Sequence, residues 1–175
     1  HQLAELFDAS IMGGGDILRN SVIPQHVQEL IDAGRLAPIE DYIRIVTPYL
    51  SREEFAGRPL ILSSVGRWHG EEPGVMGAAT AAGHPMKAAI YLVVSEATAL
   101  KRYQASREDE KRGVRADDAE HILATRFAEF HNKTLPVIDF YRDKGLVIAV
   151  DGNPTKAQVH QAILRGIYEF ATRES

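Results

Sequence analysis

Several arginines lie between residues 102 and 126, at a spacing that suits the binding of a phosphate. Arg115 comes just before Asp117 and Asp118, either of which can cap the helix predicted after them. Arg126 then lies about two turns into that helix, so a loop arginine and a helix arginine can converge on one anion. Phosphoryl transfer needs such groups, because guanidinium stays charged and binds phosphate oxygens in a bidentate fork. The alternative is a solvated run of charges with ordinary helical salt bridges.

The elements that would position these arginines alternate between strands and helices. Apolar runs typical of strands buried on both faces lie at residues 59–62, 88–94 and 146–150, with a weaker one at 10–12. Apolar residues at helical spacing lie between these runs, over residues 27–31, 42–50, 122–141 and 159–170. This alternation predicts an α/β domain with a doubly wound parallel sheet.

Length and composition favour one globular domain. The chain has 175 residues, of which 45% are hydrophobic and 25% charged, enough for one hydrophobic core. The net charge of -4 gives no reason to expect a nucleic-acid polymer or an anionic membrane as partner. There is no cysteine, no apolar run of membrane-spanning length and no signal peptide, so we expect a cytoplasmic protein.

The almost continuous stretch from residue 112 to 152 carries a family resemblance. The segment Arg112–Asp118, followed by Arg126, resembles the lid and the next helix of the adenylate kinases, a family of nucleoside monophosphate kinases. The resemblance implies a P-loop NTPase fold in a single domain over residues 1–175. Residues 23–50 would form its helical monophosphate-binding part and residues 103–117 a short lid without a zinc-binding insertion.

The acceptor side of the resemblance rests on three segments. Residues 13–19 resemble a family motif whose arginine, here Arg19, binds the phosphate of the monophosphate, with Gly14 against the nucleotide. Residues 32–38 resemble the segment that closes over the base. Arg67 matches an arginine that contacts the monophosphate. The implied lining of the base pocket consists of Ile31, the backbone at Arg35 and Ala37, and Glu71.

Three departures from the family pattern leave the identity of the base open. Gly14 stands where the family has threonine, and Ser63 where it has an aspartate that helps to organise magnesium. Glu71 stands where adenylate kinases have a glutamine that reads adenine. An ionised carboxylate only accepts hydrogen bonds, so it suits a base with two neighbouring donors, such as guanine, better than adenine.

The segment after Arg67 is unlike the family's usual helix. It is rich in glycine and alanine from residue 74 to 85, so we expect a loop there. For Trp68 and His69 we expect packing and a hydrogen-bonded imidazole, with a direct role in ligand binding as the alternative.

The donor side of the resemblance implies sites for ATP, which brings Mg²⁺ with it; no metal site made by the protein alone is expected. Arg102 is implied near the adenine or the phosphates, and Arg107 or Arg112 as a second lid arginine. Gly152 and Pro154 belong to the loop whose backbone lies near the adenine. The implied catalytic arginines are Arg67, Arg102, Arg115 and Arg126.

The family's phosphate-binding Walker loop, a glycine-rich segment ending in lysine and serine or threonine, does not occur in this sequence. The first residues, 1–7, resemble the helix that directly follows that loop. We therefore expect the central strand and the loop to precede His1 in the natural protein, because a doubly wound sheet without them leaves backbone unpaired.

The expected function is ATP-dependent phosphoryl transfer to a nucleoside monophosphate by a monomer. A catalytically degenerate nucleotide-binding or regulatory domain of the same fold is the first alternative, favoured by Gly14, Ser63 and Glu71. A kinase for a different small acceptor is the second, because a fold does not fix a substrate.

Overall fold

A computed structural model of the chain describes residues 1–32, 38–63, 65–66, 68–108 and 127–173. Strands and helices alternate through these ranges, as the sequence predicts. The strands are β1 (Ser10–Gly13), β2 (Leu60–Ser63), β3 (Ala89–Val93) and β4 (Val147–Asp151). The helices are α1 (Gln2–Leu6), α2 (Gly14–Arg19), α3 (Gln25–Asp32), α4 (Ile39–Leu50), α5 (Glu72–Ala81), α6 (Glu96–Glu108), α7 (Leu135–Asp143) and α8 (Lys156–Arg173). A 3₁₀ turn at Glu53–Phe55 and a π-helical turn at Phe130–Thr134 complete them.

The chain forms two compact units, His1–Lys87 and Ala88–Ser175. In the first unit β1 pairs with β2 in parallel, with Gly13 opposite Ser63 at the carboxyl end. In the second unit β3 pairs with β4 in parallel, with Val93 opposite Asp151. The fold is therefore mixed α/β with parallel strands. Within the described ranges the strands form two separate pairs, so the single doubly wound sheet stays a prediction, as does the single domain.

The core of the first unit lies between the strand pair and helices α2 to α5. Its most deeply buried members are apolar side chains contributed by several of these elements: Met12, Ile17, Val27, Val46, Leu50 and Ala78. Helices α4 and α5 approach closely at Gly77, where a Cβ would lie only 2.7 Å from Ile43 Cδ1. Burial of these side chains supplies most of the driving force for this unit's packing.

Helix α5 corrects the expectation of a loop over residues 74–85. The structure has helix from Glu72 to Ala81, with Pro73 in its first turn, where proline is well tolerated. The helix packs through small residues, so it carries no stripe of large apolar side chains that would reveal it in the sequence. Only the end of the stretch, from Ala82 to Pro85, is not helical.

The second unit packs α8 against β4 through Gly166, where a Cβ would lie 2.7 Å from Ile148 Cγ2. Helix α8 begins with a reciprocal cap: the Thr155 N–H donates to Gln158 Oε1 (3.1 Å), and the Gln158 N–H to Thr155 Oγ1 (3.4 Å). No helix of the described residues is long and apolar enough to cross a membrane.

Candidate functional site

In the second unit, the loop after β4 folds against the end of β3. The Gly152 N–H donates to the Val93 carbonyl (2.9 Å), and a Cβ at Gly152 would lie 2.6 Å from Val94 Cγ2. Only glycine permits that approach. Asn153 Oδ1 accepts hydrogen bonds from the Ser95 N–H (3.0 Å) and the Ser95 hydroxyl (3.1 Å). The loop is therefore tied to both the end of β3 and the start of α6.

Arg102, on α6, binds the backbone of the same loop. Its Nη2 donates to the carbonyl oxygens of Asn153 (3.1 Å) and Pro154 (3.0 Å). None of the ion pairs among described residues includes Arg102, whereas Arg58, for comparison, pairs with Asp8 at 2.6 Å. An exposed guanidinium held on two carbonyls keeps its full positive charge, so it can attract an anionic ligand.

Asp151 closes this loop from its other end. Its Oδ1 accepts hydrogen bonds from the Asn153 N–H (2.9 Å) and from Asn153 Nδ2 (2.7 Å). The backbone bond, and then the side-chain bond, lower the pKa of Asp151 below its usual value. The carboxylate is thus ionised at neutral pH, and its hydrogen bonds to Asn153 help to shape the loop.

In the first unit, two consecutive acids fold the loop between β2 and α5 back on itself. Glu71 Oε2 accepts a hydrogen bond from the Trp68 N–H (3.2 Å). Glu72, only 1% exposed, accepts one from the Gly70 N–H (2.6 Å) and pairs with His69 Nδ1 (3.0 Å). The prediction of a hydrogen-bonded imidazole at His69 is confirmed.

A shallow cleft adjoins that loop. Its lining combines an aromatic ring, an aliphatic chain, a carboxylate and glycine backbone. These groups come from the start of α4 and the start of α5: Ile39, Tyr42, Gly70, Glu71 and Gly74. An aromatic ring beside a carboxylate can contact a planar heterocycle that carries N–H donors.

Helix α2 leaves the carboxyl end of β1 and has both of its ends fixed. At its start, the Gly13 N–H donates to Asp16 Oδ2 (3.0 Å), as the third residue of a capping box does. At its end, Arg52 Nη2 donates to the Asn20 carbonyl (3.2 Å) while the guanidinium lies over the Tyr49 ring at 4.3 Å. The glycine-rich motif predicted from residues 13–19 therefore forms a defined turn into a short helix.

The structure groups the predicted site residues in two sets. Arg102, Gly152 and Pro154 come together at the carboxyl ends of β3 and β4. In the first unit, Gly14 begins α2 after β1, and Glu71 lies in the loop after β2. The ends of these two strands are adjacent, so Gly14 lies at the edge where parallel sheets bind ligands, whereas Glu71 lies further along the chain, at the N-cap of α5.

The remaining predicted residues are placed only in part. Arg19, Ile31 and Arg107 are placed by their backbone alone, in α2, α3 and α6. Six predicted residues lie outside the described ranges: Arg35, Ala37, Arg67, Arg112, Arg115 and Arg126. Their roles, and those of the residues above, stay predictions.

Sequence reasoning missed Arg52, Glu72 and Ser95, and it named Asn153 only as part of the loop whose backbone lies near the adenine. For Asn153 a signal existed, because an Asp-Gly-Asn-Pro sequence is typical of a tight turn closed by its own side chains. For Glu72 there was none, since nothing in the sequence distinguishes a buried glutamate from the exposed ones around it.

Parallel strand pairs joined by helices define an α/β protein, and the carboxyl ends of such strands are where proteins of this class bind ligands. Comparison with curated proteins finds adenylate kinases. The protein of that name from Clavibacter michiganensis subsp. michiganensis is 34% identical over 143 residues, which cover 79% of this chain and 70% of that protein. The one from Deinococcus deserti is 28% identical over 177 residues, covering 95% and 87%. No family model matches the chain. The chain belongs to the adenylate kinase family.

Proposed function

We propose that the full-length protein transfers the γ-phosphoryl group of MgATP to a nucleoside monophosphate. The observation that carries the proposal is the environment of Arg102, held by the loop carbonyls of Asn153 and Pro154 at the carboxyl ends of β3 and β4. A guanidinium fixed in this way suits the stabilisation of phosphate charge. Membership of the adenylate kinase family supports the same reaction.

In the proposed reaction, an oxygen of the acceptor phosphate attacks the γ-phosphorus of ATP. The bond from that phosphorus to the bridging oxygen breaks, and ADP leaves together with a nucleoside diphosphate. The protein forms no covalent intermediate, so its contribution is positioning and charge stabilisation. Mg²⁺ would arrive on the phosphates of ATP; no group of three or more metal-ligating side chains is found among the described residues.

The proposed roles divide between acceptor and donor. Arg19 and Arg67 bind the acceptor phosphate, while its nucleoside lies against Gly14, Ile31, Arg35, Ala37 and Glu71. ATP lies along Arg102, Gly152 and Pro154, with Arg107 or Arg112 on its phosphates. Arg115 and Arg126 stabilise the transferred group, as closure of the lid excludes water.

The proposal also requires a Walker loop, because backbone N–H groups and a lysine must hold the β- and γ-phosphates. The gene sequence upstream of the His1 codon tests this directly: a glycine-rich segment ending in lysine and serine or threonine supports the proposal.

A coupled assay for ADP on the full-length protein, with AMP, GMP, CMP and UMP in turn, tests the reaction. Turnover with one of the four is expected. The matched pair of variants is Arg102→Met, which should lose activity, and Arg142→Met, which changes an exposed arginine paired with Asp139 and should not. Nucleotide binding without turnover would instead support the degenerate domain, which Ser63 in place of an aspartate favours.

A further inference from the structure

Glu72, at the start of α5, is a buried charged side chain in the first unit. The group is 1% exposed, although burial of a carboxylate is costly unless hydrogen bonds compensate for lost water. Here the compensation comes from the loop itself: Oε2 accepts from the Gly70 N–H at 2.6 Å, and Oε1 meets His69 Nδ1 at 3.0 Å. If the loop left this conformation, the buried carboxylate would lose its hydrogen bonds. The conformation of the loop is therefore coupled to the burial of Glu72.

The base of this arrangement is rigid. Gly66, at the start of the loop, has φ +61°, and a Cβ there would lie 2.6 Å from Val75 Cγ2. At the neighbouring residue of α5, a Cβ at Gly74 would lie 3.1 Å from Tyr42 Cδ1. Helix α5 is therefore packed closely against the start of the loop on one side and against α4 on the other. Glu72 attaches the tip of the loop to this fixed base.

The tip of the loop forms one wall of the cleft. Gly70 and Glu71 line it together with Ile39, Tyr42 and Gly74. The loop also follows the carboxyl end of β2, where ligands of parallel sheets bind. Glu72, whose own side chain is buried, holds this wall through the Gly70 N–H.

We propose that Glu72 and His69 form a latch that positions the loop between β2 and α5 for binding of the nucleoside monophosphate. Glu72 is a positioning residue in this account and does not touch the substrate. The inference rests on the proposed function for the identity of the ligand. It adds residues that hold the acceptor side in its binding conformation.

Three variants of the full-length protein test the latch. Glu72→Met fills the same space and removes both hydrogen bonds. Glu72→Gln keeps them, because its amide oxygen can accept from the Gly70 N–H and its amide nitrogen can donate to the other tautomer of His69. His69→Ala removes only the exposed half of the pair, since that imidazole is 66% exposed. Glu53→Met, at an exposed glutamate in the same unit, is the matched control.

Two measurements are made on each protein. One is KM for ATP and for the monophosphate that gives the fastest turnover. The other is the dissociation constant of AMP, GMP, CMP and UMP from the fluorescence of Trp68, the single tryptophan of this sequence, which lies in the loop itself. The second measurement needs no catalysis, so loss of the kinase function and loss of the latch are read separately.

For Glu72→Met we expect about a tenfold rise in KM and dissociation constant of the monophosphate, with KM for ATP unchanged. His69→Ala should give about a threefold rise, and Glu72→Gln and the control should stay near wild type. If Glu72 has a purely structural role, Glu72→Met will lower the melting temperature and change KM for ATP and KM for the monophosphate together. That result would overturn the latch. If Glu72→Met does not fold, unchanged monophosphate binding by His69→Ala overturns it.

Discussion

Replacement of Asn153 by alanine tests how the loop after β4 is held. The substitution removes the acceptor for the N–H and the hydroxyl of Ser95, at 3.0 and 3.1 Å. A hydrogen bond of this kind contributes about 0.5–1.5 kcal/mol net, and Asn153 is exposed, so the lower part of that range applies to each. The substitution also removes the bond from Asn153 Nδ2 to Asp151 Oδ1 (2.7 Å), so at roughly 0.5 kcal/mol for each of the three bonds the local structure loses about 1–2 kcal/mol.

The local loss should appear on the donor side of the reaction. The carbonyls of Asn153 and Pro154 hold Arg102, so a loosened loop leaves that guanidinium less well positioned. At 1.4 kcal/mol for each factor of ten, we expect kcat/KM for ATP to fall about tenfold. KM for the monophosphate should stay near wild type. Hydrogen exchange at the Ser95 and Gly152 amides should become faster, because both donate to this structure.

The matched control is Asn132→Ala, at another exposed asparagine of the second unit. The reasoning is refuted if Asn153→Ala behaves like this control, or if it weakens ATP and the monophosphate equally. Faster hydrogen exchange at Ser95 with unchanged kinetics would show that Asn153 fixes the loop as described. It would also show that the fixed loop does not contribute to the use of ATP.

Three further predictions concern stability. Gly66→Ala should lower the free energy of unfolding by about 2–3 kcal/mol in urea titrations, because alanine is strained at φ +61° and its Cβ would meet Val75; an unchanged midpoint would contradict this. Arg52→Met should cost about 1 kcal/mol by thermal melting, because it loses the cation–π contact with Tyr49; Arg52→Lys should restore part of it. The lowered pKa of Asp151 contributes stability that is present above about pH 4 and is lost as pH falls through the folded-state pKa, so Asp151→Asn should flatten acid unfolding below about pH 4.

The strands were predictable because each is a short run of apolar residues that has no helical period. The run at 88–94 became β3 (Ala89–Val93), and the run at 146–150 became β4 (Val147–Asp151). Helix α5 was not predictable in the same way. Its contact surface consists of small residues such as Gly74 and Gly77, which allow helix α4 to approach closely. Small residues of this kind form no apolar pattern in the sequence.

The site was predictable where residue type carries the chemistry. Arg102 was expected near the adenine or the phosphates of ATP, and the loop with Gly152 and Pro154 near the adenine; the structure brings these residues together, while their roles stay predictions. The contacts themselves were not predictable, because Arg102 binds carbonyl oxygens, which every residue possesses. The burial of Glu72 was not predictable for a related reason. Burial is determined by the helices packed around a side chain, and the neighbouring residues in the sequence do not indicate it.

In both loops, side-chain oxygens accept hydrogen bonds from backbone N–H groups beyond the ends of the strands. Backbone N–H groups beyond the last ladder bond need other acceptors, and a loop that binds a ligand must also keep one conformation. In the second unit Asp151 and Asn153 supply these acceptors, and in the first unit Glu72 does. Asp151 and Glu72 thereby bind backbone N–H groups. Arg102 binds carbonyl oxygens, whereas an acidic partner would have neutralised its charge. An acidic side chain introduced beside Arg102 should therefore weaken ATP binding even if the fold becomes more stable, because it would compete with the phosphates for the guanidinium.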